Sequence, residues 1–328
     1  MRAGAFFISA EERLKAAIVG WIILIDAWWL YWAGFSFRTA GLAVVLVAMA
    51  VLFAVAHFYR AAGRDEDLVV ITRETAWLLA FTGAAALLSN LAITCNLPLV
   101  GSKLSWFDHA VGFDWAWAYK FVAAHPPVAW VLSIAYVIAL PEIAVVMAVL
   151  ARLGRTDRAS ELVFAAMLGA IIAIVISTLL PSGGALGYYK PNEAELMTRP
   201  IVNLAYKSTF YALRAGSIRE FSLYDLKGLI AFPSYHAVLC TVTLLATRGI
   251  PRLFWPLFAV SLLILASAPI DGGHFLADVI GGVAVGVLAT MLAAAIRARM
   301  ALPAPMPVVA PVARPAALPA ALEAGERA

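Results

Sequence analysis

In a chain of 328 residues, 63% hydrophobic and 13% charged with a mean hydropathy of +0.89, too few charges remain to coat a water-exposed surface, where about 25% is usual. A water-soluble domain is excluded, and 24 Lys and Arg against 20 Asp and Glu leave a scattered +4 that is too small for a nucleic-acid footprint. Cys95 and Cys240 stand in or beside apolar runs, without the spacing of a metal site or a disulfide framework.

Eight apolar stretches follow in order: 16–35, 40–59, 76–94, 128–150, 161–181, 234–249, 254–270 and 275–296. Most approach the ~20 residues that cross a bilayer core. They lack period-two alternation, so they read as helices, which satisfy their backbone groups internally in hydrocarbon. The expectation is an all-α polytopic membrane bundle of about eight helices over residues 16–299, preceded by a tail at 1–15. No short apolar core with a small-residue cleavage site precedes the first stretch, which is therefore expected to stay as a signal anchor. Arg2, Arg13 and Lys15 precede it, and alternate connections carry Arg60, Arg64 and Arg73, then Arg152, Arg155 and Arg158, then Arg248 and Arg252. The intervening short connections hold fewer basic residues, which places both termini in the cytoplasm by the positive-inside rule.

Two connections on the opposite, external side are long. Residues 96–127 set Trp106, Trp115, Trp117 and Tyr119 among Asp108, His109 and Asp114, a composition suited to an aromatic belt at the membrane surface with no chemistry of its own. Residues 192–214 carry Leu196, Ile201, Leu204 and Tyr211 at helical spacing and read as a second surface helix. From residue 300 the chain is rich in proline and alanine, a composition that builds no core, so 300–328 is expected to be a disordered cytoplasmic tail.

Polar residues at the rims of spans are the informative ones, because lipid makes them costly. In Phe232-Pro233-Ser234-Tyr235-His236-Ala237 a Pro and a Ser open the sixth helix and put His236 in its first turn. In Asp271-Gly272-Gly273-His274-Phe275-Leu276-Ala277-Asp278, His274 and Asp278 are four apart and share a helix face. The sixth and seventh helices form a hairpin, so the chain leaves one membrane face at His236 and returns to it near His274. A carboxylate one turn from a histidine orients the imidazole, leaving its other nitrogen to attack or to take a proton, and a second histidine can protonate a leaving group. The amides of Gly272 and Gly273 and the start of the sixth helix suit an anion such as a phosphoryl group. His236, His274 and Asp278 offer three ligands at most, so metal is the minority reading and no cofactor is expected.

These two motifs resemble the paired signatures of the type 2 phosphatidic acid phosphatase superfamily, over roughly residues 100–290. Their Phe-Pro-Ser-aromatic-His and Gly-Gly-His-aromatic-x-x-Asp forms are most similar to its inositol phosphorylceramide synthase branch. The resemblance implies a compact six-helix core and metal-independent chemistry on a lipid phosphate, with His274 attacking phosphorus to give a phosphohistidine, Asp278 orienting it, and His236 acting as general acid. It also implies an inositolphosphotransferase-like or phosphatase role in lipid metabolism. The superfamily's Lys-x6-Arg-Pro phosphate-binding signature has an imperfect echo in Lys190 and Arg199-Pro200, whose lysine and arginine are separated by eight residues. Arg214 is the preferred phosphate ligand, because a guanidinium grips two phosphate oxygens at once; Ser234, Gly272 and Gly273 join it, with Lys190, Arg199 and Lys227 behind.

The sequence reading is thus a membrane-embedded lipid phosphatase or phosphotransferase facing the external side, in a bacterial inner membrane, with lipid phosphate and membrane lipids as partners. One rival is a non-enzymatic transporter that uses the mid-span acids Asp26 and Glu142 as a proton relay. His57, His109 and His125 lack any comparable motif and read as structural.

Overall fold

The computed structural model describes residues 9–191, 201–202 and 204–301. In chain order these form α1 (Ala10–Ala33), β1 (Ser36–Arg38), α2 (Leu42–Ala61), α3 (Glu66–Ile93), α4 (Gly101–Ala110), α5 (Trp115–Ala124), α6 (Pro126–Arg152), α7 (Thr156–Leu179), α8 (Gly184–Tyr189), α9 (Leu204–Arg214), β2 (Glu220–Ser222), α10 (Tyr235–Ala246), α11 (Pro251–Asp271) and α12 (Leu276–Ala301). Arg199, the first part of the surface helix expected over 192–214, residues 1–8 of the N-terminal tail and the proline-rich stretch from 302 onward lie outside the described residues.

Seven of these helices, α1, α2, α3, α6, α7, α11 and α12, are long and apolar enough to cross a membrane, and the fold is a helical membrane bundle. The sixth apolar stretch, 234–249, differs from the expectation. It forms α10, of 12 residues, and ~18 Å of helix falls short of a ~30 Å hydrocarbon core. Ser234 is extended at its N-terminal end (φ −64°, ψ 116°), and Gly249 at φ 82° turns the chain soon after its other end.

The first helix also starts earlier than its apolar pattern. The Ser9 hydroxyl accepts the Glu12 N–H at 3.1 Å while the Glu12 carboxylate accepts the Ser9 N–H at 2.7 Å, a reciprocal cap. Helix therefore begins within the segment read as a tail, and Lys15 is buried. Its ammonium lies 2.6 Å from Glu74 and 2.9 Å from Glu11; a buried ammonium is tolerated only when paired in this way. Arg297 of α12 reaches the same end of the bundle and pairs with Glu11 at 3.0 Å.

The core is built on α7, α10 and α12, which pack against one another and are flanked by α3 and α6. Close approach of α12 to the start of α10 depends on Gly282, where a Cβ would stand 2.3 Å from the Ser234 carbonyl oxygen. Small residues at such crossings let two backbones meet. Outside the helices, β1 pairs with β2 in parallel, Phe37 opposite Phe221, and Arg38 pairs with Glu220. This short sheet ties the turn after α1 to the loop that runs down to Lys227.

Candidate active site

The loop between α11 and α12 carries His274, and residues remote in sequence fix it. The carboxylate of Asp108, on α4, accepts the N–H groups of Leu276 at 2.8 Å and Ala277 at 2.9 Å, so it caps α12 from outside. Trp115 is buried and donates its indole N–H to the Pro269 carbonyl at 2.8 Å; its ring stacks on Tyr189 with centroids 5.4 Å apart. Trp106 and Trp117 are exposed, whereas Trp115 and Tyr119, expected in the same aromatic belt, turn inward and support the site. His109 and His125 bond the backbone carbonyls of Ser105 and Phe121 one turn back on their own helices.

His274 is 3% exposed. Its Nδ1 faces two acceptors, the Ala231 carbonyl at 3.0 Å and the Asp278 carboxylate at 3.3 Å, so Nδ1 carries the proton and Nε2 keeps its lone pair. The Ser234 hydroxyl lies 3.3 Å from Nε2. Asp278 is held in turn by the Phe275 N–H at 2.9 Å, and its backbone carbonyl accepts the Ser234 N–H at 2.9 Å. That bond joins the two sequence motifs directly. Burial, with the Lys207 ammonium beside it, holds His274 well below the ordinary imidazole range, which leaves the ring neutral and nucleophilic.

His236 and His274 line one cavity of 370 Å³ together with Tyr136, Gly272, Lys207 and Lys227. The His236 ring stacks on Tyr136, centroids 4.2 Å apart and 20° from parallel. The remaining wall is mainly apolar, formed by Phe81, Ala85 and Ala86 of α3, Leu140 of α6, and Ala170 and Ile174 of α7, with the hydroxyl residues Thr82 and Ser89 of α3 among them. One end of the cavity is therefore cationic and nucleophilic, and the other is greasy.

The basic residues distribute differently from the sequence expectation. Arg214 donates to the Leu97 carbonyl at 2.7 Å and does not line the cavity, and Lys190 lies exposed over the Tyr211 ring. Gly272 lines the cavity, but its N–H donates to the Ala268 carbonyl at 3.1 Å, so its amide is engaged within the helix end. The constraint at Gly272 is steric: a Cβ there would meet His274 Cδ2 at 2.6 Å and Tyr136 Cε2 at 2.9 Å. Gly273, at φ 61°, turns its carbonyl toward the Leu186 N–H at 3.2 Å. The cation beside the nucleophile is Lys207, buried, lining the same cavity, with its charge felt by both His274 and Asp278. Sequence reading passed over Lys207, although Lys207-x6-Arg214 has the spacing of the superfamily's Lys-x6-Arg signature, with Ala215 in place of the proline. Lys227 reaches the cavity too and donates to the Thr209 hydroxyl at 2.9 Å.

The mid-span acids are elsewhere. Asp26 is buried in α1 and Glu142 in α6, and neither lines this cavity. Among the described residues no group of three or more His, Cys, Asp and Glu converges with metal-ligand geometry. Comparison with family models matches the PAP2 superfamily over residues 102–292, more than half of the chain and all of both histidine motifs. Neither the curated proteins nor the solved structures give a match.

Proposed function

Because the chain belongs to the PAP2 superfamily, we propose that it is a lipid-phosphate phosphatase or phosphotransferase working through a phosphohistidine at His274. The observation that carries this reading is the pair of imidazoles in one cavity, one of them with Nδ1 tied to Ala231 and Asp278 and Nε2 free of any proton. The substrate phosphate sits against the Lys207 ammonium, with Lys227, the Ser234 hydroxyl and the N–H groups at the start of α10 around it. Nε2 of His274 attacks phosphorus, the P–O bond to the lipid alcohol breaks, and His236 delivers a proton to the departing oxygen. In the second half, His236 takes the proton of the incoming hydroxyl, whose oxygen displaces the phosphoryl group from Nε2. Lys207 stabilises the charge of both transition states, and Asp278 stabilises the imidazolium side of the covalent adduct.

Water as acceptor makes the protein a phosphatase, and a lipid alcohol makes it a transferase like an inositol phosphorylceramide synthase. The site accommodates either, since the apolar wall suits a second lipid and the reaction's leaving and entering groups use the same histidine. We place the cavity on the external face of a bacterial inner membrane, because the basic connections gather at the opposite helix ends.

Purified protein incubated with phosphatidic acid, an isoprenyl diphosphate or phosphatidylinositol, with and without ceramide or diacylglycerol, tests the reading. Phosphate release without acceptor identifies the phosphatase, and product formed only with acceptor identifies the transferase. Activity that survives both His274→Ala and His236→Ala refutes the mechanism, and loss to EDTA alone points to metal chemistry instead.

A further inference from the structure

The catalytic cavity is not closed toward the bilayer. Two of its lining residues, Thr82 on α3 and Leu140 on α6, are exposed, Leu140 by 54%. Both stand near the middle of membrane-spanning helices: Thr82 lies 11 residues before the end of α3 at Ile93, or ~17 Å of helix. An opening at that depth faces hydrocarbon, as the neighbouring exposed Val137 and Ile138 of α6 do. From the opening, Phe81, Ala85, Ala86 and Ser89 continue along one face of α3 toward the histidines. A volume of 370 Å³ is at the low end of the ~300–1,000 Å³ of small-molecule sites. It takes a phosphate head group and the first part of a chain, and the rest of a lipid has to leave through the gap.

Resting on the proposed reaction, we propose that the gap between α3 and α6 is a lateral portal: the apolar chain of a phosphorylated lipid runs out past Thr82 and Leu140 into the bilayer while its phosphate rests between Lys207 and His274. The α3 side of this portal lies upstream of the residues that match the superfamily model, which begin at 102. Selection among lipids then resides partly in a helix outside the matched segment. Small side chains at Ala85 and Ala86 leave the width for the chain, and Phe81, 3% exposed, lines the cavity together with Ala170 and Ile174 of α7.

A phosphatidic acid bearing a photoreactive diazirine midway along one acyl chain tests the portal in liposomes, using both wild type and His274→Ala, with cross-linked peptides mapped by mass spectrometry. Label is expected on 81–89 and 136–140, and Thr82→Trp or Leu140→Trp is expected to lower it. The same variants should reduce the ratio of long-chain phosphatidic acid turnover to p-nitrophenyl phosphate turnover about tenfold, the discrimination a methylene-scale obstruction supplies. Label confined to other outward helix faces, or a turnover ratio unchanged in both variants, overturns the portal. Label at the expected peptides from a wild-type protein that releases no phosphate from that lipid, with or without an alcohol acceptor, overturns the reaction instead and leaves the portal standing.

Discussion

Asp108 and Ala277 lie 169 residues apart in sequence and 2.9 Å apart in space, carboxylate oxygen to backbone N–H. Through this contact α4 holds the first turn of α12, the turn that carries Asp278 and follows His274. Asp108→Ala removes a helix cap worth about 1 kcal/mol, and with it the alignment of His274. Thermal unfolding in detergent is expected to show a modest loss, and kcat a larger fall than any rise in KM. Asp108→Asn keeps one acceptor and is expected to recover most of kcat. A lowered Tm with kcat unchanged in the alanine variant would reduce Asp108 to a purely structural cap.

The two histidines are expected to fail differently. His274→Ala removes the nucleophile and should abolish both turnover and any alkali-stable, acid-labile phosphoryl label on the protein. His236→Ala removes the proton donor, an effect of about 10²–10⁴-fold on an alkyl leaving group, but costs much less with p-nitrophenyl phosphate, whose phenolate leaves unprotonated. Measuring kcat/KM for both esters in both variants separates the roles. Equal losses on the two esters in His236→Ala would refute general-acid catalysis by that residue.

Burial pushes Lys207 down to about 8, with the Asp278 charge opposing the shift. Its ammonium is present below that pH and is lost as pH rises through it. A phosphate held by Lys207 is therefore expected to bind progressively worse above pH 8, seen as a falling kcat/KM on the alkaline side. Lys207→Arg keeps its charge at every accessible pH, so its profile is expected to stay flat there even if its maximum is lower. An alkaline limb that persists unchanged in Lys207→Arg would assign it to another group.

Gly184 stands at φ 73°, and a Cβ placed there would lie 2.5 Å from the Gly273 carbonyl oxygen and 3.0 Å from Lys207 Nζ. An alanine both strains the backbone and displaces Lys207, which holds the phosphate, together with the Gly273 carbonyl next to His274. Gly184→Ala is expected to lose activity more severely than Gly249→Ala, which also has a positive φ but nothing within 4 Å of the added methyl. Comparable activity in the two, at comparable expression, would show that the packing around Lys207 has more room than these distances imply.

The hydrophobic runs and the two histidine motifs were legible in one dimension because their physics is local. Lipid requires a continuous apolar stretch, and His274 and Asp278 share a face because helical residues four apart always do. Even the meeting of the motifs could be anticipated, since a hairpin of two helices returns the chain to the face it left. What one dimension could not rank was the cations. Lys190, Arg199, Arg214 and Lys227 are comparable candidates in a sequence, and the guanidinium of Arg214, the best suited of them to a phosphate, lies instead on the Leu97 carbonyl. Lys207 has the Lys-x6-Arg spacing, but the following proline is absent, and its surroundings set it apart: a buried position between α8 and the His274 loop. Asp108 and Trp115 passed for surface residues for the same reason, since nothing local says that α4 and α5 fold inward under the end of α11. Helical periodicity and membrane partitioning belong to the chain itself, whereas the choice of which charge is desolvated beside the nucleophile belongs to packing between segments far apart in sequence.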